Sequence, residues 1–159
     1  MTDNEGTEQN EQQGGTGTGS GDTPVVVHHS VLNEVVEAVM DMIDALGLFA
    51  DTVRGPLGTG NGIAVEVGPS TPNAVYLSKD TYTPLDVTIN AKHYDLLTLT
   101  EAMNTIHSKL TRATSYTSAD NWQIVDISTA TYPQIIGREP NNDWLAASAL
   151  AVKVYQRGD

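Results

Sequence analysis

Residues 85–110 decide the fold class, and they read LDVTINAKHYDLLTLTEAMNTIHSKL. In the first part apolar residues occupy every second position, a pattern typical of a strand with one buried face. They are Leu85, Val87, Ile89 and Ala91. After His93 apolar residues recur at steps of three and four, a pattern typical of a helix with one apolar face. They are Leu96, Leu99, Met103, Ile106 and Leu110. The stretch therefore predicts a strand that leads into a helix, with Asn104 and His107 turned away from the core.

Length and composition exclude several classes of protein. A chain of 159 residues without a transmembrane-length apolar run is expected to form one soluble domain with a single core. It contains no cysteine, which excludes disulfides, thiolate zinc sites and cysteine nucleophiles. No segment has the pattern of a cleaved secretion signal, so secretion by that route is not expected.

The charge balance argues against a protein that grips nucleic acid. The chain has 8 Lys and Arg against 20 Asp and Glu, a formal net charge of −12. Binding to a phosphate backbone needs clustered basic residues, and the sequence shows no such cluster. An acidic surface would instead let duplex DNA pass without adhering. The acidic bias also suggests a halophilic host, in which salt screens the repulsion between carboxylates.

The N-terminal part divides into a tail and a helix. Residues 1–24 carry Gly, Thr, Gln, Asn and acids but no aliphatic residue beyond Met1, so we expect a disordered acidic tail. Ordering of this tail against a partner subunit is the alternative. Residues 25–27 are predicted to form a short extended entry into a domain that spans residues 25–159. Ser30 is the expected N-cap of a helix over residues 31–46, with Gly47 as its stop.

Four acids recur along this first helix at steps of three and four: Glu34, Glu37, Asp41 and Asp44. Each such like-charge pair costs about 0.2–0.5 kcal/mol in dilute salt, which the burial of the apolar stripe easily outweighs. Three explanations fit the pattern, namely a solvated face, a host cytoplasm of high salt, or a basic partner.

The remaining elements follow from periodicity and turn residues. Residues 51–62 are predicted to be a Gly-rich loop, followed by strands at residues 63–67 and 74–77 that a proline-rich turn separates. The second helix has two possible starts, with Asp95 as N-cap or with Thr98 in a capping box. A strand is expected at residues 122–131 with Val125 and Ile127 facing the core. A connection at residues 132–143 then leads to a last strand at residues 144–156.

This order, α-β-β-β-α-β-β, predicts an α+β single domain. Its mixed, mostly antiparallel sheet of about five strands would pack with two α-helices.

No motif predicts catalysis, a cofactor or a metal. The Gly-rich loop lacks the Gly-Lys-Ser/Thr ending of a phosphate loop and precedes a strand rather than a helix. The histidines have no zinc-binding spacing, because His28 and His29 are adjacent and His93 and His107 lie far apart. The sequence also lacks a Gly-x-Ser-x-Gly nucleophile motif. We therefore expect that the protein is not an enzyme.

The body of the chain resembles the tail terminators of siphovirus-like tailed viruses, a family whose relatives include proteins called minor capsid proteins. Three features carry the resemblance, which covers roughly residues 31–156: the opening helix that ends in DALGLFADTVRG, the unit at residues 85–110, and the late strands that end in LAVKVYQ. The resemblance implies a virion protein assembled in the host cytoplasm as a homo-oligomer, a six-membered ring. The ring would contact the tail tube protein and the head connector or stopper protein, with DNA passing through its lumen and no membrane involved.

A closed ring needs two different contact patches on each subunit, and loops are the expected source of them. The candidate interface residues are Arg54, Leu57, Asn61, Lys79, Tyr82, Tyr132, Ile135 and Arg138. They lie at residues 51–62, 78–84 and 131–143. Two other functions stay open, a head-completion or connector stopper protein, and a small-molecule binding module or orphan enzyme.

Overall fold

The structure is a computed structural model that describes residues 30–68 and 74–158. The predicted acidic tail at residues 1–24, the extended entry at residues 25–27, the His28–His29 pair and the proline-rich turn at residues 69–72 lie outside the described residues.

The described residues form two helices and six strands in an α+β arrangement. In chain order they are α1 (Val31–Asp44), β1 (Thr52–Arg54), β2 (Gly62–Val67), β3 (Ala74–Val75), β4 (Thr81–His93), α2 (Leu96–Leu110), β5 (Trp122–Arg138) and β6 (Trp144–Gln156). The sheet has the order β1-β2-β4-β6-β5, and the two-residue β3 pairs with β4 off this path. Only the β1–β2 pair is parallel among these strands. The predicted single-domain α+β class is thus confirmed.

One hydrophobic core lies between the helices and a single face of the sheet. The alternating residues of β4 that were predicted to be buried, from Leu85 to Ala91, are fully buried. They share one cluster with Val39 of α1 and Leu99 of α2, so both helices pack on the same face. The opposite face carries small, half-buried residues such as Ala149.

The helix ends follow from local hydrogen bonds. Ser30 caps α1 as predicted, since its side chain accepts from the backbone N–H of Asn33. The helix ends at Asp44, two residues earlier than predicted, where three-residue turns replace the α-helical bonds. Asp95 is the N-cap of α2, because its carboxylate accepts from the backbone N–H of Thr98 at 2.8 Å and from its hydroxyl at 2.6 Å. These two bonds decide between the predicted starts and lower the pKa of Asp95.

The structure corrects the predicted loop at residues 51–62 and the predicted connection at residues 132–143. The predicted loop at residues 51–62 contains β1, which is too short to show a period and is held by pairing with β2. The predicted connection at residues 132–143 is mostly strand, since β5 continues to Arg138 and only residues 139–143 turn. Pro133 and Gly137 favour a loop locally, but β5 is an edge strand with irregular pairing, where such residues are tolerated.

A β-bulge in β5 corrects the predicted inward face. The register with β6 shifts between Ile124 and Asp126, so that Val125 is left without a partner. As a result Ile124 and Ile127 are both buried, whereas Val125 is 43% exposed. The prediction was right for Ile127 and wrong for Val125, because an extra residue reverses the alternation of side chains.

This bulge predicts unequal effects of two similar truncations. Ile127→Ala should lower the free energy of unfolding by about 2–5 kcal/mol, because it leaves a cavity in the core. Val125→Ala should change it by less than about 0.5 kcal/mol, because the side chain lies at the surface. Urea unfolding of both variants measures the difference. Equal losses would contradict the bulge.

Candidate assembly surface

The eight candidate interface residues lie in three places on the sheet. Arg54, Leu57 and Asn61 lie beside β1 and the start of β2, at one edge. Lys79 and Tyr82 lie near the β3–β4 turn. The third group, Tyr132, Ile135 and Arg138, lies on β5 at the opposite edge of the sheet. The structure thus does not bring the eight together, and it places two of the groups on opposite edges.

The polar members of the first group are engaged within the subunit. The guanidinium of Arg54 donates to the side chain of Asn33 at 2.6 Å, which ties the end of β1 to the start of α1. The side-chain oxygen of Asn61 accepts from the backbone N–H of Tyr94 at 3.2 Å. Leu57 is half-buried. These side chains therefore shape the loop, and their contacts are already used inside the fold.

Lys92 joins the two connections at this end of the sheet. Its side chain is only 6% exposed, and its ammonium donates to the carbonyl of Gly58 at 2.8 Å and to the carboxylate of Glu139 at 3.2 Å. Gly58 belongs to the Gly-rich loop, and Glu139 to the β5–β6 turn. A single buried cation thus fixes the relative position of two predicted interface segments.

In the second group, Tyr82 belongs to an aromatic cluster. Tyr82 lies in β4 rather than in the loop predicted at residues 78–84, and its ring centroid is 5.3 Å from that of Tyr155. The ammonium of Lys153 lies 4.9 Å from the centroid of the Tyr82 ring. Nearby, Asp80 accepts from the backbone N–H of Gly158, which lowers the pKa of Asp80. Lys79 is exposed, with a positive φ of 64°.

The third group lies on the edge strand β5, next to a further exposed residue, Ile136. Tyr132 is 78% exposed, Ile136 58% and Ile135 41%. The guanidinium of Arg138 lies 4.7 Å from the centre of the Trp144 ring, and its Nε donates to the carbonyl of Asn142 at 3.0 Å. The edge therefore presents apolar side chains next to a positioned cation.

A groove runs between α2 and the irregular part of β5, and we call it the α2–β5 groove. It consists of two adjoining cavities of about 300 Å³ and 120 Å³ that share Asn104 and Pro133. Arg112 marks one end, and Ile135 lies at the other. Tyr132 also lines it, so two of the predicted interface residues border the groove.

His107 lines this groove and was wrongly predicted to project away from the core. It is 5% exposed, and its Nδ1 lies 2.9 Å from the hydroxyl oxygen of Thr129 on β5. Its Nε2 is buried and has no hydrogen-bond partner among the described residues. Burial lowers the pKa of His107, so the neutral ring is favoured. Periodicity could not reveal this burial, because it depends on where β5 crosses the helix.

The acidic stripe of α1 splits into two pairs. Glu34 accepts from the indole N–H of Trp122 at 2.7 Å, and Asp44 accepts from the backbone N–H of Thr52 at 2.7 Å. Both outer acids thus anchor the helix to strands. Glu37 and Asp41 are exposed, and neither side chain has a hydrogen-bond or ion-pair partner within residues 30–68 and 74–158.

Comparison with known proteins gives no independent assignment. No family model matches the chain, and the curated proteins contain no match to it. Among the described residues no three His, Asp or Glu side chains are grouped as a metal site requires. No helix in this part of the chain is long and apolar enough to span a membrane. The absence of a cofactor, of a metal and of catalysis therefore stays a prediction.

The buried imidazole predicts a specific pH dependence of stability. The unfolded chain protonates His107 near its ordinary pKa of 6.5, whereas the folded protein resists protonation. The free energy of unfolding should therefore fall as the pH drops below 6.5 and stop falling at the lower folded-state pKa. This group contributes at most about 1.4 kcal/mol per pH unit.

His107→Asn tests this contribution, since an amide can still contact Thr129 but does not titrate. Urea unfolding at several pH values between 8 and 5 should give a smaller slope for the variant, while all other titrating groups remain in both proteins. Identical slopes would show that the buried ring has no depressed pKa.

Proposed function

We propose that this chain is a virion structural protein, a tail terminator that forms a six-membered ring at the head-proximal end of the tail tube. There the ring would end tube polymerisation and meet the head connector. The role requires contact surfaces rather than catalysis. The resemblance of the sequence supplies the family, and the open edge of the sheet at β5 is the observation that supports assembly.

The β5 edge supports this proposal because it is long and apolar. The strand has 17 residues. Ser118 forms a β-bridge with Gln123 at its start, and the rest of its outer edge pairs with no other strand of the described chain. Exposed apolar side chains on such an edge favour association unless something covers them. Tyr132, Ile135 and Ile136 are such side chains. Coverage by a neighbouring subunit would remove this liability.

The contact at β5 is expected to use side chains rather than simple strand addition. Register shifts interrupt β5 at four places, and Pro133 lacks a backbone N–H. Both features oppose a regular new ladder with another strand. The opposite edge of the sheet, at β1, is only three residues long, so the two edges differ in length and in sequence. The two unlike edges suit a head-to-tail contact, which is the type that closes rings.

The charge of the chain fits a ring around DNA. Each copy adds a formal charge of −12, and a channel lined by acids would repel a passing duplex. DNA is therefore expected to traverse the lumen without specific binding, and the proposed location is the head–tail interface of the virion.

Native mass spectrometry and electron micrographs of the purified full-length protein test the proposal. We expect a mass of six copies and six-fold rings with a channel wide enough for duplex DNA. A protein that stays strictly monomeric at high concentration, with no ring in micrographs, would contradict the proposed function.

A further inference from the structure

The basic surface at the C-terminal end of α2 is an exception on this acidic chain. Residues 102–119 contain no Asp or Glu, although they contain Lys109 and Arg112. Both side chains are exposed. The only salt bridge among the described residues joins Lys92 to Glu139, so neither cation has a carboxylate partner there. Lys109 and Arg112 therefore present positive charge that no carboxylate of the described residues neutralises, and we call them the basic surface.

The basic surface adjoins a ready-made concavity. Arg112 lines the α2–β5 groove together with Tyr132, whose ring is mostly exposed. At the side of the groove His107 is buried, and its Nε2 has no hydrogen-bond partner in the described part of the chain. An exposed aromatic ring beside an arginine is a combination that is enriched where protein interfaces bind most tightly. The site thus favours a protein partner that brings negative charge.

The chain itself carries a surface of the required charge. Glu37 and Asp41 lie one turn apart on α1, and both are exposed without a partner in the described part of the chain. Their like charges repel within the subunit, and attraction to a basic partner would offset this repulsion. Their neighbours Glu34 and Asp44 are already bound by strands, which leaves only these two for an external contact.

The acidic and the basic surface lie on different helices. Helix α1 packs beside β1 and against α2, whereas α2 also packs over β4, β5 and β6. Neither Glu37 nor Asp41 pairs with Lys109 or Arg112 inside the described subunit. Two complementary surfaces that do not meet within one copy can meet between two copies, and repetition of such a head-to-tail contact generates a ring or a filament.

We propose that the basic surface and the α2–β5 groove of one subunit bind the Glu37–Asp41 face of helix α1 on a neighbouring copy. This inference rests on the proposed ring, and it names the surfaces through which the copies meet. Charge complementarity would then select the partner and set the orientation of the contact.

Charge exchange between the two surfaces tests the contact. The double variant Lys109→Glu with Arg112→Glu should associate at least about a hundredfold more weakly than the wild type, and so should Glu37→Lys with Asp41→Lys, because each sets like charges opposite one another. All four side chains are exposed, so circular dichroism and the thermal midpoint should stay close to those of the wild type.

Two rescues make the test specific. A chain that carries all four substitutions restores opposite charges and should assemble again. An equimolar mixture of the two double variants should form rings in which they alternate, which an even-membered ring allows. Assembly is measured by native mass spectrometry at the ionic strength at which the wild type assembles.

A control double variant, Lys153→Glu with Arg157→Glu, changes the net charge by the same amount as Lys109→Glu with Arg112→Glu, at two exposed positions outside the proposed contact and outside the candidate interface residues. It should assemble like the wild type. Loss of assembly in this control, or failure of both rescues with folded protein, would overturn the contact. Normal assembly of either double variant would do the same. If the wild type itself forms no ring, the proposed function fails, which distinguishes that failure from a wrong choice of surfaces.

Discussion

The structure depends on the uninterrupted pairing of β4 with β6. Each strand has 13 residues, and the register runs without a shift from Thr81 opposite Gln156 to His93 opposite Trp144. The partners are far apart in sequence, so closing this ladder costs chain entropy. Burial of the inward aliphatic side chains on both strands, worth about 1.5–3 kcal/mol each, offsets that cost. The other large elements add to this central pair: β2 on one side, β5 on the other, and α2 on the inner face.

The elements predicted most accurately are those whose pattern lies within one continuous segment. The two-residue period of β4 predicted its buried face, and Asp95 was one of the two expected caps of α2. The helical period of α2 correctly predicted the burial of Leu99, Met103, Ile106 and Leu110, whereas Leu96 is 39% exposed. The wrong predictions arise where pairing with a distant strand determines the local structure. The bulge at Val125 is imposed by the register with β6, and β1 is a strand only because β2 lies beside it. Such long-range constraints leave no local signal in a single sequence.

The candidate surface was predictable in part for the same reason. Tyr132, Ile135 and Arg138 were expected to lie in an interface segment, and they do lie together on one edge, although on a strand rather than a loop. Burial of His107 against Thr129 required the tertiary fold. The acid-free stretch around Lys109 and Arg112 was readable from the sequence but gained meaning only beside the groove. The acidic stripe of α1 likewise divided into structural and free acids only once Trp122 and Thr52 were placed.

The central claim is that a stable sheet assembles through the side that carries the α2–β5 groove and the β5 edge. Backbone hydrogen exchange tests this claim most directly. Exchange is compared by mass spectrometry between dilute monomer and concentrated, assembled protein. The account predicts slow exchange in β4 and β6 in both states, because their ladder forms the core. Residues 107–112 and 132–138 should gain protection only on assembly. Assembled protein in which these segments exchange as fast as in the monomer, while protection appears elsewhere, would contradict the account.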